Sequence, residues 1–140
     1  MKRTKAIRTA ALALALTTIF AGSALASSPE TTLTIRHQVR GCHAWSFNNG
    51  AYKASLKIAV ARGATLTVID NDMMPHKLLQ LAGPKAKLIS PAMKHISAQA
   101  KVVLAKKGTY EFTTRAGEDY MKGIKTTGPD NVLKLTVVVA

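Results

Sequence analysis

From Leu33 onward, apolar and polar residues mostly alternate with a period of two, the repeat of strands buried on one face. Leu33, Ile35, His37 and Val39 share one face, opposite Thr32, Thr34, Arg36 and Arg40. Leu56, Ile58 and Val60 predict a second strand. Arg62-Gly63 then turns into a third carrying Leu66, Val68 and the adjacent Ile69, rich in β-branched neighbours. Leu78 to Leu81 is a short apolar strand stopped by Gly83-Pro84. Val102 to Leu104, with Tyr110 and Phe112 across Lys107-Gly108, predicts a hairpin. Leu133, Leu135, Val137 and Val139 close the chain with clean alternation. Only Pro91 to Gln99 reads as a short helix, with Pro in its first turn. About seven short strands separated by turns describe an all-β sandwich or small barrel.

The N-terminus breaks this pattern. Lys2, Arg3, Lys5 and Arg8 precede an apolar run from Ala10 to Ala21, and Ala24-Leu25-Ala26 supplies small residues for cleavage. This is the make-up of a secretory signal peptide over residues 1–26, too short in its apolar run to span a membrane. Arg3 and Arg8 are not adjacent and no Cys follows the cleavage point, so a general export signal is expected, not a twin-arginine or lipoprotein one. Residues 27–140 then form one domain, periplasmic or extracellular, with no transmembrane segment.

Composition narrows the classes. The 140 residues are 47% hydrophobic and 19% charged, with 20 Lys+Arg against 7 Asp+Glu. That balance is globular, not disordered. Removing the signal's four basic residues leaves a net charge of about +9. The mature length suffices for one core without disulfides, and a single Cys excludes them within the chain. A phosphate loop, a His-Glu-x-x-His pair and a Gly-x-Ser-x-Gly elbow are absent. The acids are scattered, and adjacent Cys42 and His43 point to opposite sides of an extended chain. A non-enzymatic protein is expected.

What remains is a set of soft and borderline donors: Cys42, four His and four Met beyond the signal. Thiolate, thioether and imidazole together suit copper better than magnesium or calcium. Residues 56–76, from Leu56 through Gly63 to Asp70-Asn71-Asp72-Met73-Met74-Pro75-His76, resemble the cupredoxin (blue copper protein) pattern. In that family two strands around a Gly turn lead to an Asn/Asp loop ending in Pro-His, whose His binds copper. Gly108-Thr109-Tyr110-Glu111-Phe112 resembles the strand entering the C-terminal ligand loop. Met121-Lys122-Gly123 resembles its exit, where Met is the axial ligand. The resemblance covers about residues 31–140. It implies a cupredoxin-like Greek-key β-sandwich with copper on His76 and Met121.

One departure is large. Residues 113–120 contain neither the Cys nor the His that this loop carries in the family. The only thiol stands instead in Gly41-Cys42-His43-Ala44-Trp45, after the first strand. The expected metal ligands are therefore Cys42, His43, His76 and Met121, the first two relocated. Each has a blander alternative: an inert buried thiol, an outer or exposed His43, a surface His76, a gap-filling Met121. His37, on the apolar face, reads as a hydrogen-bonded core histidine and Trp45 as a packing anchor. Met73 and Met74 read as loop rim, and Met93 and His95 as part of the helical segment.

The resulting expectation is a monomeric, exported copper protein carrying single electrons. A copper carrier or sequestration protein without redox turnover is the alternative, and a metal-free interaction domain a third. The basic charge suits an acidic redox partner or copper donor/acceptor, or a surface that adheres to anionic envelope polymers. At 5% aromatic residues, nucleic acid is not an expected partner.

Overall fold

The computed structural model describes residues 31–38, 42–117 and 132–140. These form ten strands: β1 (Thr32–Gln38), β2 (Cys42–Phe47), β3 (Ser55–Val60), β4 (Thr65–Asn71), β5 (His76–Ala82), β6 (Lys87–Ile89), β7 (Ala92–Met93), β8 (Ala98–Val103), β9 (Gly108–Ala116) and β10 (Lys134–Val139). They build two five-stranded sheets, ordered β2-β1-β4-β8-β6 and β3-β10-β9-β5-β7. β1·β4 and β3·β10 are parallel, and the other pairs are antiparallel. From β2 to β9 each strand lies in the opposite sheet from the one before it, so every connection crosses an end of the sandwich. The expected all-β sandwich is the fold of the chain. Among the described residues no helix is long and apolar enough to cross a membrane.

Alternation fixes which side chains meet between the sheets. Leu33 and Ile35 of β1, Trp45 of β2 and Leu66 and Val68 of β4 face Leu78, Tyr110, Phe112, Leu135 and Val137 of the other sheet, all essentially buried. Each such side chain contributes about 1.5–3 kcal/mol through removal from water. The Tyr110 and Phe112 rings stack 6.2 Å apart, nearly parallel, and the Tyr110 hydroxyl donates to the Lys106 carbonyl.

Four expectations change. Val102–Leu104 and Tyr110–Phe112 form no hairpin: β8 pairs with β4 and β6, while β9 pairs with β10 and β5. The Lys107-Gly108 turn reverses the chain but also carries it across to the other sheet, and alternation alone does not distinguish the two outcomes. Pro91–Gln99 is not a helix. It holds β7, a turn closed by Ala98 N–H donating to the His95 carbonyl, and the start of β8. Met93 is fully buried in the core, and Ser90 and Ser97 adopt positive φ, which breaks helical continuity. The stretch from Cys42 to Trp45, where the alternation predicts no strand, belongs to β2. His37 is not a core residue, because β1 rises out of the sandwich after Ile35 and leaves half of that side chain exposed.

Candidate metal centre

One end of the sandwich gathers the last residues of β1, β4 and β9 and the first of β2 and β5. Pairing of β1 with β2 sets His37 opposite His43 and Ile35 opposite Trp45. Two residues before Trp45, His43 therefore shares its inward face and is 1% exposed. β4 repeats the logic: Leu66 and Val68 point inward, and the next inward position is a carboxylate, Asp70. β5 begins on His76, fully buried and on the same face as Leu78.

The loop between β4 and β5 is shaped by its own carboxylates. Asp70 Oδ1 accepts the Asp72 N–H at 3.0 Å and Oδ2 accepts the His76 N–H at 3.2 Å. Asp72 Oδ1 accepts the Met74 N–H at 3.0 Å. These side chains stand in for backbone partners in successive tight turns. They present the remaining oxygen of Asp72 to the two imidazoles. His43 Nδ1 lies 2.6 Å from Asp72 Oδ2, and His76 Nε2 lies 3.3 Å from the same atom. The rings meet edge to face, 4.6 Å between centroids. His76 Nδ1 is 3.1 Å from the Thr114 hydroxyl of β9. His37 Nδ1 sits at the rim, 3.9 Å from Asp72 Oδ1.

The two carboxylates titrate in opposite directions. Burial alone would raise Asp72, but hydrogen bonds from His43, His76 and the Met74 N–H outweigh it and hold the carboxyl well below the usual range. Asp70 is pushed up to about 6 by burial, against the backbone N–H groups of Asp72 and His76, which favour its charged form. With Asp72 ionised, both nitrogens facing it donate. The His76 tautomer that carries its hydrogen on Nε2 then accepts the Thr114 O–H at Nδ1.

Of the four ligands expected from sequence, the structure brings His43 and His76 together, from strands of opposite sheets. Cys42 opens β2 half-buried, with a left-handed φ of 58° that takes it out of the strand's extended alternation. Met121 lies outside the described residues. The donors that come within 4.8 Å of one another are His37, His43 and Asp72. Sequence reasoning did not single out Asp70 or Asp72. Its available signal was the period of two running from Leu66 and Val68 into both. Two imidazoles and a carboxylate fit copper, and zinc as well.

Neither a family model nor a curated protein matches this chain. Its fold is similar to a purple cupredoxin from Nitrosopumilus maritimus, at 19% identity over 77% of this chain and 99% of that one, TM-score 0.46. It is also similar to a reduced amicyanin variant, at 23% identity over 80% and 83%, TM-score 0.43. A cysteine protease inhibitor from Entamoeba histolytica gives 8% identity over 81% and 100%, TM-score 0.44. All three scores lie below 0.5, and the inhibitor scores between the cupredoxin and the amicyanin variant.

Proposed function

We propose that the chain is an exported copper-binding protein of the cupredoxin type, residues 27–140 forming its domain after removal of 1–26. Its metal centre is built on His43 and His76. The observation that carries this reading is the pair itself: two buried imidazoles, one from each sheet, directed at a shared carboxylate. The sequence resemblance, which implies a copper ligand at His76, supports the reading independently. Bound copper would supply a metal that cycles between two charges. The chain's part is to hold the donors on strands, so that they move little between those charges, which suits one-electron transfer. Cys42 and Met121 are the sulfur donors that the sequence offers beside this pair. The basic surface steers an acidic redox partner or copper donor/acceptor to it.

Copper carriage without redox turnover is the second reading. The half-exposed His37 favours it, since a rim nitrogen beside Asp72 suits stepwise uptake and release.

Titration of His76→Ala and His95→Ala variants with copper tests the centre. His95 is exposed, with Nδ1 against the Ile96 carbonyl, and serves as control. His76→Ala should weaken binding far more than His95→Ala, and equal affinities would remove the assignment. In the copper-loaded wild type, an intense thiolate-to-copper absorption band supports electron transfer, whereas colourless, tight copper(I) binding supports carriage.

A further inference from the structure

We infer that Asp72 is the anionic ligand of this centre, in the place the sequence reading gave to Cys42. The centre then takes divalent transition ions, copper(II) and zinc(II), in preference to copper(I). The inference rests on His43 and His76 as metal donors. Asp72 Oδ2 already reaches both imidazoles, at 2.6 and 3.3 Å, and Asp72 Oδ1 faces His37 Nδ1 at 3.9 Å. One ion between these atoms gains two or three nitrogens and a carboxylate oxygen with small side-chain movements. Among the described residues the donors grouped within 4.8 Å are His37, His43 and Asp72; His76 joins them through Asp72 Oδ2, and Cys42 is outside the group.

Donor chemistry sets the preference. Copper(I) is soft and seeks sulfur; imidazole and carboxylate suit copper(II) and zinc(II). A buried carboxylate is costly unless paired, and a dication pairs with it more strongly than a monocation. Thr114 accommodates the change at His76. When Nε2 gives its lone pair to a metal, the ring hydrogen moves to Nδ1. The Thr114 hydroxyl, which donates to Nδ1 in the metal-free form, then accepts from it. Without turning the ring, the same contact serves both forms.

The test is titration of the mature chain and two variants with copper(II), zinc(II) and, under anaerobic competition with a chelator, copper(I). Asp72→Asn should weaken copper(II) and zinc(II) by about a hundredfold, no less than the loss of an outer ligand partner costs elsewhere. It should change copper(I) much less. Cys42→Ser should leave copper(II) affinity and the electron-spin spectrum unchanged. Should Asp72→Asn fail to fold, carboxyl carbon resonances of the wild type report directly: zinc should shift one aspartate signal, and Cys42→Ser should reproduce that shift. Copper(II) bound equally by wild type and Asp72→Asn, or an intense band that Cys42→Ser abolishes, would overturn the Asp72 assignment while the centre stands. Identical binding by wild type and His76→Ala would instead remove the centre, and this inference with it.

Discussion

The two ends of this sandwich are closed by different chemistry. At one end His43, Asp72 and His76 tie the sheets through buried polar contacts, with Asp70 folding the loop that presents them. At the other, backbone does the work. Gly83 sits at φ 95° hard against the Thr109 carbonyl, Gly63 N–H donates to the Leu104 carbonyl, and the Tyr110 hydroxyl caps Lys106. At Gly83 the second end has no room for an added atom, and it asks for no particular charge. The first asks for named side chains in named protonation states. Stability should therefore respond most to substitutions at the glycine end, and metal affinity to those at the histidine end.

The largest expected effect is at Gly83. A β-carbon there would collide with the Thr109 carbonyl, and φ 95° is strained for any side chain. Gly83→Ala should cost about 3 kcal/mol, seen as a lower urea midpoint with an unchanged slope. Copper affinity of the folded variant should match wild type. A combined loss of stability and affinity would show that the two ends are coupled.

Metal addition probes the opposite end. An ion that binds only the folded state stabilises it by about 2.7 kcal/mol at a hundred times its dissociation constant. Copper(II) should raise the melting temperature by several degrees, and a chelator should reverse the gain. His76→Ala should lose that gain, whereas Gly83→Ala should keep it from its lower starting point. An unchanged wild-type melting curve in excess copper would favour the metal-free interaction domain.

Much of this contrast was legible in the sequence. Alternation located β1, β3, β4, β5, β9 and β10, because in each an apolar set such as Leu135, Val137 and Val139 faces one core. β2 was missed because Gly41, Cys42 and His43 replace the apolar residues that would mark its start, and only Trp45 anchors it. Sheet membership was hidden too, since Val102 and Tyr110 bury the same faces whether or not their strands pair. At the candidate site, His43 and His76 were both expected from sequence, and the structure brings their rings together. Asp72 was not expected, because a carboxylate in a polar loop looks like solvent-facing surface until β4's register turns it inward.

Acidity offers a subtler separation. The Asp70 carboxyl titrates near 6 in the folded chain against 3.8 in the unfolded one. Between those values the folded chain holds a proton that the unfolded chain has released. Stability from this group is present below 3.8 and is lost as pH rises through 6, by at most about 1.4 kcal/mol per pH unit. Asp72, held low, behaves oppositely: its contribution is present above 3.8 and is lost as pH falls below that. Denaturant unfolding of the metal-free chain from pH 4 to pH 6 should thus show a downward tilt that Asp70→Asn flattens. The Gly83→Ala variant should shift the whole curve without changing its tilt. Parallel wild-type and Asp70→Asn curves would mean that burial does not raise Asp70.

The smallest effect should come from His37, and it separates the two ends most finely because it lies at the histidine end yet is half exposed. Its nitrogen is 3.9 Å from Asp72 Oδ1, too long for a hydrogen bond, and solvent screens the pair. A contact this long, with one partner half in solvent, contributes about 0–1 kcal/mol at most, so His37→Ala should leave the unfolding midpoint nearly unchanged. A rim nitrogen can still matter in time. An ion leaving the proposed centre would pass from His43 and Asp72 toward solvent, where a third nitrogen within reach would offer it a resting point. Removing it should change the rates of copper(II) uptake and release, followed by stopped-flow chelator competition, more than it changes stability. If His37→Ala also lowers the equilibrium affinity as far as Asp72→Asn does, His37 is a full ligand and the buried and exposed donors form one set. Unchanged rates and affinity would confine the centre to the buried donors, leaving His37 an ordinary surface residue.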